Sequence, residues 1–292
     1  MLGSISGDVR FKEPLSIHTS LRLGGPADIF ITPENIDDIR HALGFAAREQ
    51  MPVSVIGAGS HTLVTERGFR GVVLRLDGAL RRVEFHGEEG VAGAGADMFS
   101  LVRAAAALGL GGLAHLVGTA GTVGGALVAQ GCGRGQPMGE LVSSVYFVRP
   151  DGEIDEVKAG WPAGAERAVD APGRVLIGCR LRLERQPGAA ISRAIAQGLR
   201  ARPLMQSLAL PGAVVWRDPP GHAAGSLIER AGLSGKRLNG AEVCAKHPGV
   251  IVNRGTATAL NVLALMQLTR ERVLARTGIR LEPGIRTLGE LV

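Results

Sequence analysis

The chain has 292 residues, of which 45% are hydrophobic and 21% charged, a balance that supplies a sizeable core and argues against disorder. At that length two or three interlocked lobes sharing a core are expected. A formal net charge of +6 suits an anionic partner, but aromatic residues make up only 3% and the lysines and arginines are spread along the chain rather than blocked together, so nucleic acid is set aside in favour of a phosphorylated small molecule.

Met1 to Phe11 lacks a charged-then-apolar leader pattern, and no run of about 18 apolar residues follows. Secretion and membrane insertion are therefore not expected. Cys132, Cys179 and Cys244 lie far apart with no CxxC or histidine-linked spacing, which predicts no metal site and fits a reducing cytoplasm.

In chain order, Asp28 to Thr32, Val53 to Ile56 and Val72 to Leu76 read as short β-branched strands, with a helical apolar spacing from Ile36 to Gln50 between the first two. This is a βαβ-like unit. Val83 to Gly93 reads as strand and turn, and Asp97 is placed to cap a helix through Leu101 to Leu108. After the glycine-crowded stretch from Gly118 to Gly135, strands at Val142 to Val148 and Val175 to Leu183 close this part of the chain. Past Gln186-Pro187 the pattern changes to a helix from Ala190 to Leu204, a strand at Val214 to Trp216, a helix from Gly225 to Ala231 and a long helix near Thr258 to Arg276. The expected division is 1–78 and 79–187 for two subdomains of one lobe, and 188–292 for a second lobe.

Two glycine loops carry the chemistry. Gly57, Ala58, Gly59, Ser60, His61 and Thr62 follow directly on a strand, where backbone N–H groups can cradle a pyrophosphate; a plain tight turn explains the glycines equally well. The second loop, Gly118-Thr-Ala-Gly-Thr-Val-Gly-Gly-Ala126, leaves room for a flat ring against the backbone at Gly118, Gly121, Thr122, Val123, Gly124, Gly125 and Ala126.

Together the loops resemble the GxGSNLLV and GIPGTVGGAVxMNAG motifs of the UDP-N-acetylenolpyruvoylglucosamine reductase (MurB) family. The resemblance continues at His18 to Gly25, Arg217 to Gly232, Asn239 to Val243, Lys246-His247, Ile251 to Asn253 and Gly278 to Pro283, covering nearly the whole chain. It implies an α+β protein with an FAD-binding lobe of the vanillyl-alcohol-oxidase (PCMH) type and a C-terminal α/β substrate lobe of the family's shorter architectural type. It also implies noncovalent FAD, NADPH as reductant, a UDP-sugar substrate held by Arg217, Asp218, His247 and Asn253, and a place in peptidoglycan precursor synthesis in the cytoplasm.

The family's proton chemistry does not carry over. Its proton donor is the serine of GSxFKNP, and here Ala213-Val-Val-Trp-Arg-Asp-Pro219 puts Val214 at that position. Its supporting acid is the second glutamate of LEPEV, and here Leu281-Glu-Pro-Gly-Ile285 puts Gly284 there. A propyl group cannot donate a proton. The carboxylate-binding arginine of the family's YRxS motif has Arg167 as its candidate, with a solvated loop arginine as the alternative. His61 stands where the family has asparagine; contact with phosphate is the ordinary expectation for such an exposed loop histidine, and covalent attachment to flavin the minor one. Cys132 and Cys244 are substitute donors or, more commonly for the residue type, small buried side chains.

Three readings follow from the resemblance. In the first the chain keeps the fold, binds FAD or a UDP-sugar, has lost or nearly lost the reductase reaction, and acts as a protein partner or regulator in wall synthesis. In the second it remains an NADPH- and FAD-dependent reductase with another proton source. In the third the flavin is kept and the substrate is different.

Overall fold

A computed structural model describes residues 2–129, 138–158, 173–201 and 210–290. Arg167, Cys132 and Trp161 lie outside the described residues.

The first sheet contains β1 (Asp8–Pro14), β2 (Pro26–Thr32), β3 (Val53–Ile56) and β5 (Phe69–Arg75) in the order β1-β2-β5-β3. Helix α1 (Ile36–Arg48) connects β2 to β3, started by Asn35, whose side chain accepts from the Asp38 N–H at 3.0 Å. The βαβ-like unit is thus present with a modification: β5 lies between β2 and β3, parallel to both. Along β2 and β5 the two-residue period sends Ile29, Ile31, Val72 and Leu74 into one core and Phe30 and Val73 into another.

The second sheet joins β6 (Val83–His86), β7 (Glu89–Gly93), β8 (Val142–Val148), β9 (Ile154–Lys158) and β10 (Val175–Arg182) in the order β6-β7-β10-β8-β9, all antiparallel. Asp97 caps α2 (Met98–Ala107), as its spacing predicts, by accepting from the Ser100 N–H at 2.8 Å. Short α3 (Val123–Val128) follows the second glycine loop. Ala92, Leu101, Val145, Phe147 and Leu181 join Ile29, Ile31, Val72 and Leu74 in one continuous core, so these two sheets share their interior.

Helix α4 (Gly188–Ala201) begins one residue past the division drawn at 187, yet Ile191 is buried and Ile195 packs against the core of the preceding sheets. The C-terminal lobe proper holds β11 (Gly212–Val214), β12 (Arg237–Leu238), β13 (Ala241–Val243) and β14 (Val250–Asn253), in the order β11-β14-β13-β12. Helices α5 (Ala224–Arg230) and α6 (Ala259–Thr277) pack with this sheet, and α6 carries a capping box between Thr258 and Asn261.

The lobes are sewn together at three places. Leu21, Leu23 and Leu63 from the first lobe are buried in the core of the C-terminal lobe. The Glu66 carboxylate accepts the Ala259 N–H at the start of α6. In return β15 (Arg286–Leu288) leaves the C-terminal lobe and pairs in parallel with β4 (Thr62–Val64), burying Leu288 against Phe30 and Val64.

Candidate functional site

A cavity of about 460 Å³ opens where these elements meet, within the range of small-molecule sites. One wall is the end of β3 with Gly57, His61 and Thr62; another is Thr122, Gly124 and Gly125; a third is Arg217 with Pro283 to Arg286. The two glycine loops, 61 residues apart by the Gly57 and Gly118 positions, therefore form one site. They also touch directly, since the Ser60 hydroxyl donates to the Ala120 carbonyl at 3.0 Å.

The first loop is shaped by its glycines. Gly59 has φ +65°, and a Cβ there would collide with the His18 carbonyl oxygen. At Gly57 a Cβ would lie 2.5 Å from Thr122 Oγ1, closing the gap between the loops. The loop is pinned from outside by the Ser20 N–H on the Gly59 carbonyl at 3.1 Å and by the Arg286 N–H on the His61 carbonyl at 2.9 Å.

The second loop presents surface rather than free donors. The N–H groups of Val123 and Gly124 go to the carbonyls of Ala96 and Ala94, both at 2.8 Å; Thr122 Oγ1 takes the Gly125 N–H at 3.2 Å; the Thr122 carbonyl takes the Ala126 N–H at 2.9 Å. Val123 has its side chain in the core. Gly118 and Gly121 both have positive φ and shape the approach to this turn, the Gly121 carbonyl accepting from the Met98 N–H. What remains for a ligand is the low profile of Gly124 and Gly125.

Electrostatics favour an anion. Arg174, Arg217 and Arg286 line the cavity, and among the described residues no aspartate or glutamate does. Arg286 is held in place by its guanidinium, which donates to Ser54 Oγ at 2.9 Å and to the Val55 carbonyl at 3.1 Å. Sequence reasoning passed over Arg286 and Arg174. For Arg286 the available signal was its place three residues after the Leu281-Glu-Pro283 motif; for Arg174 there was none.

The two substituted positions sit on one backbone frame. The Arg217 N–H donates to the Glu282 carbonyl at 3.0 Å, the Gly284 N–H donates to the Val215 carbonyl at 2.8 Å, and Trp216 and Pro283 form a bridge. Gly284 lines the cavity, whereas Val214, half-buried on β11 opposite Val250, is not among its lining residues.

Of the residues expected on a substrate, only Arg217 reaches this cavity. Asn253 is buried, its Nδ2 donates to the Leu21 carbonyl at 3.0 Å, and its Oδ1 accepts from Gly255 at 2.8 Å and Ala257 at 3.2 Å. An amide so occupied ties two lobes together and lies outside the lining of this cavity. Asp218 accepts the Ala224 N–H at 2.7 Å at the entrance of α5, and the His247 carbonyl accepts from Val250 in a turn. Ala58, Gly59 and Ser60 support the first loop from outside the cavity lining.

Neither of the described cysteines offers a donor to this cavity, and Cys132 lies outside the described residues. Cys179 is fully buried and its thiol is pushed up to about 12 by burial. Cys244 is half-buried and lies outside the cavity lining.

Comparison with known proteins fits this arrangement to a family. Residues 27–158 match the model described as "FAD binding domain", and residues 209–288 match "UDP-N-acetylenolpyruvoylglucosamine reductase, C-terminal domain". A reductase of that name (number 2) from Symbiobacterium thermophilum is 37% identical over 286 residues, 97% of this chain and 93% of the relative; one from Geobacter metallireducens is 37% identical over 98% of this chain and 96% of its own. The chain belongs to the UDP-N-acetylenolpyruvoylglucosamine reductase family. The crystal structure of the reductase from Thermus caldophilus superposes with a TM-score of 0.76 at 29% identity, over 98% of this chain and 100% of that one.

Within this family the α+β architecture, with an FAD-binding lobe and a reductase-type C-terminal lobe, stands as the sequence implied. The residues present fit a flavin dinucleotide: a cationic cavity for its diphosphate, glycines where a Cβ would intrude, and a buried polar atom, His61 Nε2, that has no partner in the chain. No helix among the described residues is long and apolar enough to cross a membrane.

Proposed function

We propose that the chain binds FAD noncovalently between the two glycine loops and has lost, or nearly lost, the reduction for which its relatives are named. The observation that carries this reading is the cavity wall itself: it joins both loops to Gly284 and Arg217, yet the residues at the two proton-handling positions are Val214 and Gly284.

In this reading Gly57 to Thr62 take the diphosphate side and Thr122 to Ala126 lie against the ring. Arg217, with Arg167 as a further candidate, faces the anionic end of a UDP-sugar, and the carboxylate of an enolpyruvyl group is matched by the cationic lining. FAD, when bound and reduced by NADPH, supplies the hydride. What this chain's own residues must add is a proton at the neighbouring carbon and stabilisation of the developing negative charge. Arginines answer the second need. For the first, valine and glycine offer no exchangeable proton, so the substrate complex forms without efficient completion.

A UDP-sugar-binding flavoprotein that does not turn over would act through its complexes, as a protein partner or regulator in wall-precursor synthesis. The test is direct. Purified protein incubated with FAD should become yellow and retain flavin on gel filtration, while showing little NADPH oxidation dependent on UDP-N-acetylenolpyruvoylglucosamine. A colourless protein that takes up no FAD in equilibrium dialysis overturns the flavin half of the reading. Turnover at an ordinary rate of about 1–10³ s⁻¹ overturns the other half.

A further inference from the structure

His61 is expected from sequence to be an exposed loop residue touching phosphate; the structure contradicts the exposure, since the residue is partly buried. Its Nε2 is buried and meets no hydrogen-bond partner in the chain. Its Nδ1 lies 3.1 Å from Ser60 Oγ.

The tautomer follows from counting protons. The Ser60 hydroxyl has one hydrogen, which goes to the Ala120 carbonyl, a pure acceptor, at 3.0 Å. Ser60 Oγ must therefore accept from His61, which puts the neutral ring's single N–H on Nδ1. Nε2 is then a bare lone pair on a residue that lines the cavity, and leaving a buried acceptor unsatisfied is costly. Every charged group that lines the cavity from the neighbouring described elements is cationic: Arg286 before and along β15, Arg217 after β11 and Arg174 before β10. A second proton on the ring would add a fourth positive charge to that set, and burial further disfavours it, holding the imidazole below its ordinary range.

We propose that His61 Nε2 is the acceptor for an N–H or O–H group of the bound flavin dinucleotide. The inference rests on the FAD reading above and adds to it a recognition role that is opposite in sign to a phosphate contact. A histidine that touches phosphate gains by being protonated, so FAD affinity would rise as pH falls. An acceptor nitrogen loses its lone pair on protonation, so affinity falls as pH is lowered through the imidazole's titration.

The experiment measures FAD dissociation constants by flavin fluorescence from about pH 5 to pH 8 for the unmodified chain, His61→Leu and His61→Gln. The unmodified chain is expected to bind more weakly toward acid. His61→Leu should bind about tenfold more weakly near neutrality and lose the pH slope, because one hydrogen bond is gone. His61→Gln carries an amide oxygen that can reach the same place, and should recover most of the affinity with no slope.

A second measurement separates recognition from structure. Because Nε2 is unsatisfied without ligand, His61→Leu should melt at a higher temperature than the unmodified protein when FAD is absent; a merely structural histidine would give the reverse. Tight binding by the unmodified chain with a flat or inverted pH profile overturns this inference and leaves the FAD reading standing. Failure of the unmodified chain to bind FAD at any pH overturns both.

Discussion

The first glycine loop and the frame from Arg217 to Gly284 both contribute to the wall of one cavity, and they differ in what their side chains offer. At the loop both backbone and side-chain requirements are met: Gly59 holds φ +65°, Gly57 leaves room beside Thr122, and Ser60 bonds across to Ala120. At the frame the backbone is equally regular, with Arg217 on Glu282 at 3.0 Å and Gly284 on Val215 at 2.8 Å, but the two positions proposed to handle the proton hold valine and glycine. On the proposed reading, a ligand-shaped wall has outlived its chemistry. Main-chain hydrogen bonds do not depend on which side chain stands at 214 or 284, whereas proton donation from either position needs a side chain with an exchangeable proton.

The strongest way to break this contrast is to restore the frame. The unmodified chain is expected to turn over UDP-N-acetylenolpyruvoylglucosamine at least about 10³-fold more slowly than an intact family member, and Val214→Ser with Gly284→Glu should recover activity beyond the gains of either single change. Coupled NADPH oxidation under matched FAD loading checks this; equal, additive single-site gains would show that the two positions do not serve one transition state.

The loop side is probed by stability. Gly59→Ala places a Cβ against the His18 carbonyl at a left-handed φ, and should lower unfolding free energy by about 3 kcal/mol or more through strain and overlap. Denaturant melts read it, and an unchanged midpoint would mean that the loop is not held in this conformation.

Asn253 distinguishes a seam from a binding residue. Asn253→Ala should cost about 2 kcal/mol, since it leaves the Leu21 carbonyl and the Gly255 and Ala257 N–H groups without their buried partner. FAD and UDP-sugar affinity of the folded fraction should hardly change. A loss of ligand affinity with stability intact would return Asn253 to the substrate site.

The smallest effect is expected at the second loop, where Thr122→Ala removes the cap on the Gly125 N–H and should cost about 1 kcal/mol. Flavin affinity should fall less than for His61→Leu, because that loop is proposed to offer the ring a surface and no donor.

Much of this was readable from local pattern. The helical spacing from Ile36 and the cap at Asp97 announce α1 and α2, and the glycine-rich motifs mark both loops, because each of these signals is contained within about ten residues. What spacing alone could not reveal is long-range. The pairing of β4 with β15 joins Thr62 to Arg286, two three-residue strands with no period to detect, and with it Arg286 enters the cavity unseen. β1 was missed for a different reason: most of its residues are exposed, so it lacks an apolar alternation. The link from Asn253 to Leu21 was equally hidden, because a motif records that a residue type recurs, and says nothing of whether its amide faces a ligand or another lobe.

The pairing of β15 with β4 also orders events in time. Translation delivers both glycine loops early, but the Pro283 to Arg286 wall of the cavity emerges only after α6. A nascent chain halted before Arg286 would hold an open trough in place of a cavity, with Leu288 missing from the packing around Phe30 and Val64. Closure of the cavity is thereby coupled to synthesis of β15, and a chain cut before Arg286 should lose both the third wall and the packing of Leu288.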